Sequence, residues 1–185
     1  AFSQVYDLLG IRFDHIYYES EVEDSGKDIV DILIEKGIAK DERPEGAVIV
    51  DLDAVLGTKE KYRVLVVLRS DATSLYSTKD LSLAIKKFEQ YHLDRSIYVI
   101  DVRQSLYMMQ IFKVMELMGY QWAENCFHLA YEIVNLPGNV TIASREGTVV
   151  LLEDLISEAE KRALIIVQEK NPDLADSLKM EVARS

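Results

Sequence analysis

The sequence predicts an α/β fold built on a parallel sheet, and three observations lead to it. Strand-like apolar runs at 64–69, 96–102 and 127–134 alternate with helix-like stretches at 79–90 and 105–118. Strand, helix, strand, helix, strand at this spacing reads as two right-handed βαβ units. The chain has 185 residues, of which 49% are hydrophobic, enough for one domain with a real core. A 29% charged fraction and only 3 prolines argue against disorder. The least structured stretches, 40–46, 57–61 and 136–147, are short, so one compact body without a linker is expected.

Each element has its own signal. Residues 3–9 suit a short helix, and Arg12 to Tyr17 an extended piece. Asp24 or Ser25 can cap a helix that places Ile29, Ile32, Leu33 and the stem of Lys36 on one side. Gly37 is a suitable stop, because a glycine takes the left-handed conformation after a helix without strain. Strands are expected at Ala47–Leu52 and Val64–Arg69, the second a nearly unbroken apolar run like a strand buried on both faces. Thr78 can cap a helix from Lys79 to Gln90 with a stripe of Leu81, Ala84, Ile85 and Phe88. Ser96–Val102 reads as a strand, Ser105–Met118 as a helix ended by Gly119, and Phe127–Val134 as a strand. A short strand at Val149–Leu151 and a helix over Glu153–Lys170 follow. Pro172 breaks that helix, and a last one starts near Asp176.

Composition narrows the function classes. With 21 Lys and Arg against 32 Asp and Glu, the net charge is −11, which argues against a surface built mainly to grip phosphate backbones. The single cysteine, Cys126, leaves no internal disulfide and no cysteine-built zinc site, and suits a reducing compartment. A cytoplasmic location is therefore expected. No apolar run approaches the ~20 residues of a membrane span, so no membrane partner is expected. The first residue is Ala1 and not Met, so a processed or excised polypeptide is expected.

Most standard chemical signatures are missing. There is no phosphate-binding glycine loop and no nucleophile elbow. His15, His92 and His128 have no metal-ligand spacing between them, so no metal site is expected. In a parallel sheet, ligands sit beyond the carboxyl ends of the strands. That gives weight to 70–80, 101–105 and 135–147. Ser70 to Asp80 suits either a turn, with Asp80 in the first turn of a helix, or a binding loop. Tyr17-Tyr18-Glu19-Ser20 reads as a strand end with surface charge or as an acidic and aromatic site. Gln104 follows a strand end. Ser144-Arg145-Glu146-Gly147 reads as a solvated turn or an anion-binding loop. Met108, Met109, Met115 and Met118 read as core packing.

Taken in order, these segments carry a resemblance. Phe13-Asp14 with Glu19-Ser20, Gly46-Ala47, Ser70 to Asp80, Ile97-Tyr98-Val99, Gly119-Tyr120, Trp122-Ala123, His128 to Tyr131, Ser144 to Val150 and Leu155 resemble arginyl-tRNA synthetase, a class I aminoacyl-tRNA synthetase family. The order and spacing hold along essentially the whole chain, and the stretch around Tyr76 with Asp80 is the most specific part.

The resemblance implies a fold and a set of roles. The chain looks like the second half of the catalytic domain, a part of the Rossmann-like parallel sheet with an inserted connecting segment. The insertion would lie at about 20–68, the second half of the Rossmann-like fold at about 69–150, and a helical continuation at 151–185. Arginine would be bound by Glu19, Tyr76, Asp80 and Gln104. A planar cation with five N–H donors calls for carboxylates and acceptors in a fork, which lysine cannot satisfy twice over. ATP phosphates would meet the late loop at Thr141, Ser144 and Arg145, with Mg2+ accompanying the ATP. The parent enzyme would join L-arginine and ATP into arginyl-adenylate, then pass the arginyl group to tRNA(Arg).

The sequence departs from the family pattern at several points. A His-Ile-Gly-His-like motif is lacking, Thr141 stands where lysine is common, Tyr107 where histidine is frequent, and Ala72 where glycine is usual. The end at Ser185 falls where the family continues toward its anticodon domain, so a fragment without activity of its own is expected. The alternative is a free-standing truncated paralog that binds arginine or a partner without catalysis.

Overall fold

The computed structural model describes residues 2–132, 135–136, 140–141 and 151–184. In chain order the elements are α1 (Phe2–Leu8), α2 (Glu23–Glu35), β1 (Lys40–Asp41), β2 (Val48–Asp51), α3 (Leu52–Leu56), β3 (Val64–Leu68), α4 (Tyr76–Tyr91) and β4 (Ser96–Asp101). They continue with α5 (Ser105–Met118), β5 (Cys126–Tyr131), β6 (Asn135–Leu136), β7 (Val140–Thr141), α6 (Leu152–Lys170) and α7 (Asp176–Arg184). Where one body was expected, the chain divides into two compact units, residues 15–133 and residues 1–14 with 134–185.

The central unit holds the core. The i, i+3, i+4 spacing of Leu81, Ala84, Ile85 and Phe88 puts all four on the buried side of α4. Leu81, Ala84 and Ile85 pack with Ile29, Val30 and Leu33 of α2, Val48 and Val50 of β2, and Ile111, Val114 and Met115 of α5, while Phe88 stacks on Trp122. Burial of these aliphatic side chains contributes about 1.5–3 kcal/mol each, which makes this cluster the main source of the unit's stability. Where α2 crosses α4, Gly26 replaces a side chain: a Cβ there would lie 3.0 Å from the methyl of Thr78. Beside it, the hydroxyls of Ser25 and Ser82 share a 2.6 Å hydrogen bond. Gly37 and Gly119 close α2 and α5 with φ of +68° and +100°, as their positions suggest.

The strand at 64–68 does not join the parallel sheet. It lies at the edge of an antiparallel sheet ordered β1-β2-β3, with Val50 opposite Leu65 and Asp51 opposite Val64. Its burial alternates, Leu65 and Val67 inside, Val64 and Val66 exposed, so it is not covered on both faces. Side chains of later helices take carbonyls of this strand and of Tyr62 just before it. Ser77 Oγ donates to Val66 at 2.6 Å, Thr78 Oγ1 donates to Val67, and the buried Gln110 donates to Tyr62 at 2.5 Å and Val64 at 3.3 Å. Helices thus occupy the flank where the predicted neighbouring strand would pair. The second βαβ unit forms as expected: β4 and β5 are parallel, with Tyr98 opposite His128, joined through α5.

Several boundaries differ from expectation. Helix α4 starts at Tyr76, three residues early, because Leu75 is its extended cap and Thr78 lies inside the first turn. Strand β5 ends at Tyr131, and of the expected strand at 149–151 only Leu151 lies among the described residues, where it caps α6.

The terminal unit comprises α1, β6, β7, α6 and α7. Across 3–14 and 151–184 no apolar side chain is fully buried, and Leu155, Ile165 and Ile166 are exposed. Its buried polar group is Lys179, which donates to the Pro172 carbonyl at 2.9 Å. Among the described residues no helix is long and apolar enough to cross a membrane.

Candidate functional site

The site begins where β3 hands over to α4. Asp71 closes the turn, accepting the Thr73 amide at 2.9 Å and its hydroxyl at 2.7 Å. These bonds hold the Asp71 carboxyl below its usual range, and they bear out the turn reading for this residue. Ala72 carries φ +62°, a left-handed conformation that a glycine would adopt without strain. Ser77 and Thr78 then anchor the start of α4 to β3. Because α4 starts at Tyr76, Asp80 falls in its second turn and not its first. Tyr76 and Asp80 are four residues apart and share one helix face.

Two clefts share Tyr76 and Asp80 as a common wall. One, about 100 Å³, is completed by Tyr17, Tyr18, Glu19, Val22, Lys79 and Leu83. The other, about 370 Å³, is completed by Gln104 and Tyr107. All four residues expected to bind arginine therefore line these clefts. Tyr76 is 73% exposed, so its ring is open to a ligand. Gln104 ends the 3-10 turn Val102–Gln104 that leaves β4. Asp101 fixes that turn by accepting the Arg103 amide at 2.8 Å and gripping its guanidinium through two further bonds.

The electrostatics of the two carboxylates differ. Glu19, at the start of the 3-10 turn Glu19–Glu21, is exposed and pairs with the Lys79 ammonium at 2.6 Å. Asp80 is largely enclosed, and burial pushes its carboxyl above the usual range. A bond from the Tyr107 hydroxyl at 2.5 Å and the nearby charge of Lys87 pull it back. Burial and the Asp80 charge keep the Tyr107 phenol protonated well above its ordinary value. This arrangement offers a cation acceptors of two kinds, beside an open aromatic ring.

Sequence reasoning missed Lys79 and Asp101. Lys79 had a usable signal, since it lies three residues after Tyr76 and beside Asp80. Tyr107 stood out only as a departure from a pattern, with no role given to it. Of the expected phosphate loop, Thr141 lies in β7 opposite Asn135, and Ser144 and Arg145 lie outside the described residues. A larger cleft of about 750 Å³ opens in the terminal unit among Leu8, Leu9, Ile156 and Ala163. Its wall is mostly aliphatic, and its acidic Glu160 already faces Arg184 at 3.5 Å.

A family model described as tRNA synthetases class I (R), catalytic domain, matches residues 1–184. The chain belongs to the arginyl-tRNA synthetase family. Among curated members, the arginine–tRNA ligase of Halothermothrix orenii is 37% identical over 185 residues, covering 99% of this chain and 31% of its own length. That of Bdellovibrio bacteriovorus is 40% identical over 157 residues, covering 85% and 26%. The chain thus spans about a third of the length of the synthetases it matches. The solved arginyl-tRNA synthetase of Thermus thermophilus superposes with a TM-score of 0.72 at 28% identity, covering 98% of this chain and 35% of that one. The Plasmodium falciparum enzyme gives 0.71 at 18% identity, a likeness of fold alone. The α/β content and the parallel β4–β5 ladder belong to a class I synthetase-like fold.

Proposed function

We propose that this chain supplies the arginine pocket of an arginyl-tRNA synthetase. The observation that carries the reading is the convergence of Glu19, Tyr76, Asp80 and Gln104 on two clefts with a common wall. Asp80 takes one edge of the guanidinium, Glu19 a second, Gln104 offers its amide oxygen, and Tyr76 lays its ring against the side chain. A guanidinium can satisfy several acceptors at fixed angles, and an ammonium cannot match that fork, so the pocket selects arginine over lysine.

The parent protein joins L-arginine and ATP into arginyl-adenylate and pyrophosphate, then transfers the arginyl group to tRNA(Arg). Positioning and charge stabilisation on the phosphates drive the first step. In this reading Thr141, Ser144 and Arg145 belong to the loop that meets ATP, with Mg2+ entering on the nucleotide. Residues 69–150 form the second half of the Rossmann-like fold, supported by the β4–α5–β5 crossover. Residues 20–68 form the connecting insertion, supported by their separate antiparallel sheet, and 151–185 the helical continuation. The chain by itself does not catalyse the reaction.

Calorimetry with L-arginine and L-lysine tests the reading on the full polypeptide that carries these residues. Binding of arginine, weaker binding of lysine, and a loss of at least about 30-fold in Asp80→Asn are expected, the scale of breaking a buried charge pair. Equal binding of both amino acids, or no effect of Asp80→Asn, would contradict it.

A further inference from the structure

Asp80 cannot act as a guanidinium acceptor unless its carboxylate is both charged and held at a fixed rotation. Its own helix provides no hydrogen bond for either purpose. The only hydrogen bond recorded to the carboxylate among the described residues comes from α5, where the Tyr107 hydroxyl donates to Oδ2 at 2.5 Å. Tyr107 also lines the cleft that Asp80 shares with Tyr76 and Gln104. Its ring packs against the hydrophobic core, so the hydroxyl is delivered from a rigid base.

We propose that Tyr107 is a positioning residue of the arginine pocket, which fixes the Asp80 carboxylate through Oδ2 and leaves Oδ1 to meet the guanidinium. This rests on the arginine-pocket reading above. The phenol is suited to the task, since a hydroxyl that stays protonated donates at every working pH, and the ring restricts where it can point. A bond to a charged acceptor is among the stronger single hydrogen bonds in a protein.

The geometry has a pH consequence. The charges that face Asp80 are Lys87 on its own helix and Glu19 on the 3-10 turn; Tyr107 on α5 and Tyr98 on β4 are the neutral titratable groups beside it. Arginine binding needs the ionised carboxylate, so affinity falls as pH drops through the carboxyl's raised value. Removing the Tyr107 hydroxyl removes a bond that favours the ionised form, and the fall then begins at higher pH.

The test uses the full polypeptide, with L-arginine titrated by calorimetry from pH 5 to 8 and folding followed by circular dichroism. Tyr107→Phe deletes one oxygen and keeps the ring. It is expected to weaken arginine binding about ten-fold at pH 7 and to move the acid limb upward. Tyr107→His, which restores an N–H donor, is expected to recover most of the affinity. Unchanged affinity and an unmoved acid limb in Tyr107→Phe, with Asp80→Asn still losing arginine, would overturn the role of Tyr107 alone. Undiminished binding by Asp80→Asn would overturn this inference and the arginine-pocket reading together.

Discussion

Lys79 Nζ stands 2.6 Å from Glu19 Oε2, an ion pair that ties the 3-10 turn before α2 to the first turns of α4. The ammonium therefore occupies one oxygen of the acceptor that the proposed function assigns to a ligand guanidinium. Arginine competes with Lys79 for the charge of Glu19. Glu19 is exposed and the pair is screened by solvent, so it adds little to the stability of the fold. Lys79→Met is expected to leave the thermal midpoint nearly unchanged and to tighten arginine binding about two- to five-fold. Weaker binding, read by calorimetry, would mean that Lys79 supports the pocket instead of competing for it.

Ala72 offers a change in the opposite direction. Its φ of +62° strains an alanine and suits a glycine. Ala72→Gly is expected to raise unfolding stability by about 0.5–1 kcal/mol, the strain relieved less the entropy added to the unfolded chain. Denaturant unfolding measures this, and a destabilised variant would show that the turn is not strained at this residue.

The close approach of α2 and α4 makes the converse prediction at Gly26. A methyl there meets the Thr78 side chain and its carbonyl at 3.0 and 3.1 Å. Gly26→Ala is expected to cost about 1–3 kcal/mol by pushing the helices apart, despite alanine's better helix propensity. An unchanged denaturation midpoint would contradict that packing.

Cys126 is half-buried at the start of β5, and burial pushes its thiol up to about 11. At pH 8 little thiolate forms, so iodoacetamide is expected to label the folded protein about 100-fold more slowly than the unfolded chain. Labelling at the same rate in both states would place the thiol in solvent.

Asp53 sets an acid limit on stability. It accepts from Thr58 Oγ1 at 2.5 Å and from the amides of Tyr62 and Arg63 at 2.9 and 3.0 Å, which lowers its carboxyl below the ordinary value. A lowered folded value means the stabilisation is present above the unfolded value of about 3.9 and is lost as pH falls through the folded one. Asp53→Asn is expected to flatten the loss of stability below about pH 4, read from unfolding midpoints at successive pH values. An identical acid slope would remove Asp53 from the account.

Periodicity made the helices legible. The Leu81 stripe and the glycine stops at Gly37 and Gly119 mark α4, α2 and α5 to within a few residues, because burial and left-handed caps leave local traces. Strand pairing left a partial trace, which showed the β4–β5 ladder but not the place of β3. The run Val64–Leu68 looks like a strand covered on both faces, yet its pairing depends on Ser77, Thr78 and Gln110, which reach it from later helices. Those donors are scattered through α4 and α5, and each by itself reads as an ordinary helix residue. The site divides in the same way. Glu19, Tyr76, Asp80 and Gln104 are candidates through ordered resemblance, whereas the bonds that Lys79 gives Glu19 and Tyr107 gives Asp80 emerge only when the chain is folded.

The central claim is that arginine's guanidinium sits between Asp80 and Glu19. Diffraction from crystals of the full polypeptide grown with L-arginine tests it most directly. The account predicts a guanidinium within hydrogen-bonding distance of the Asp80 and Glu19 carboxylates, beside the Tyr76 ring. A bound arginine whose guanidinium touches neither carboxylate would contradict it.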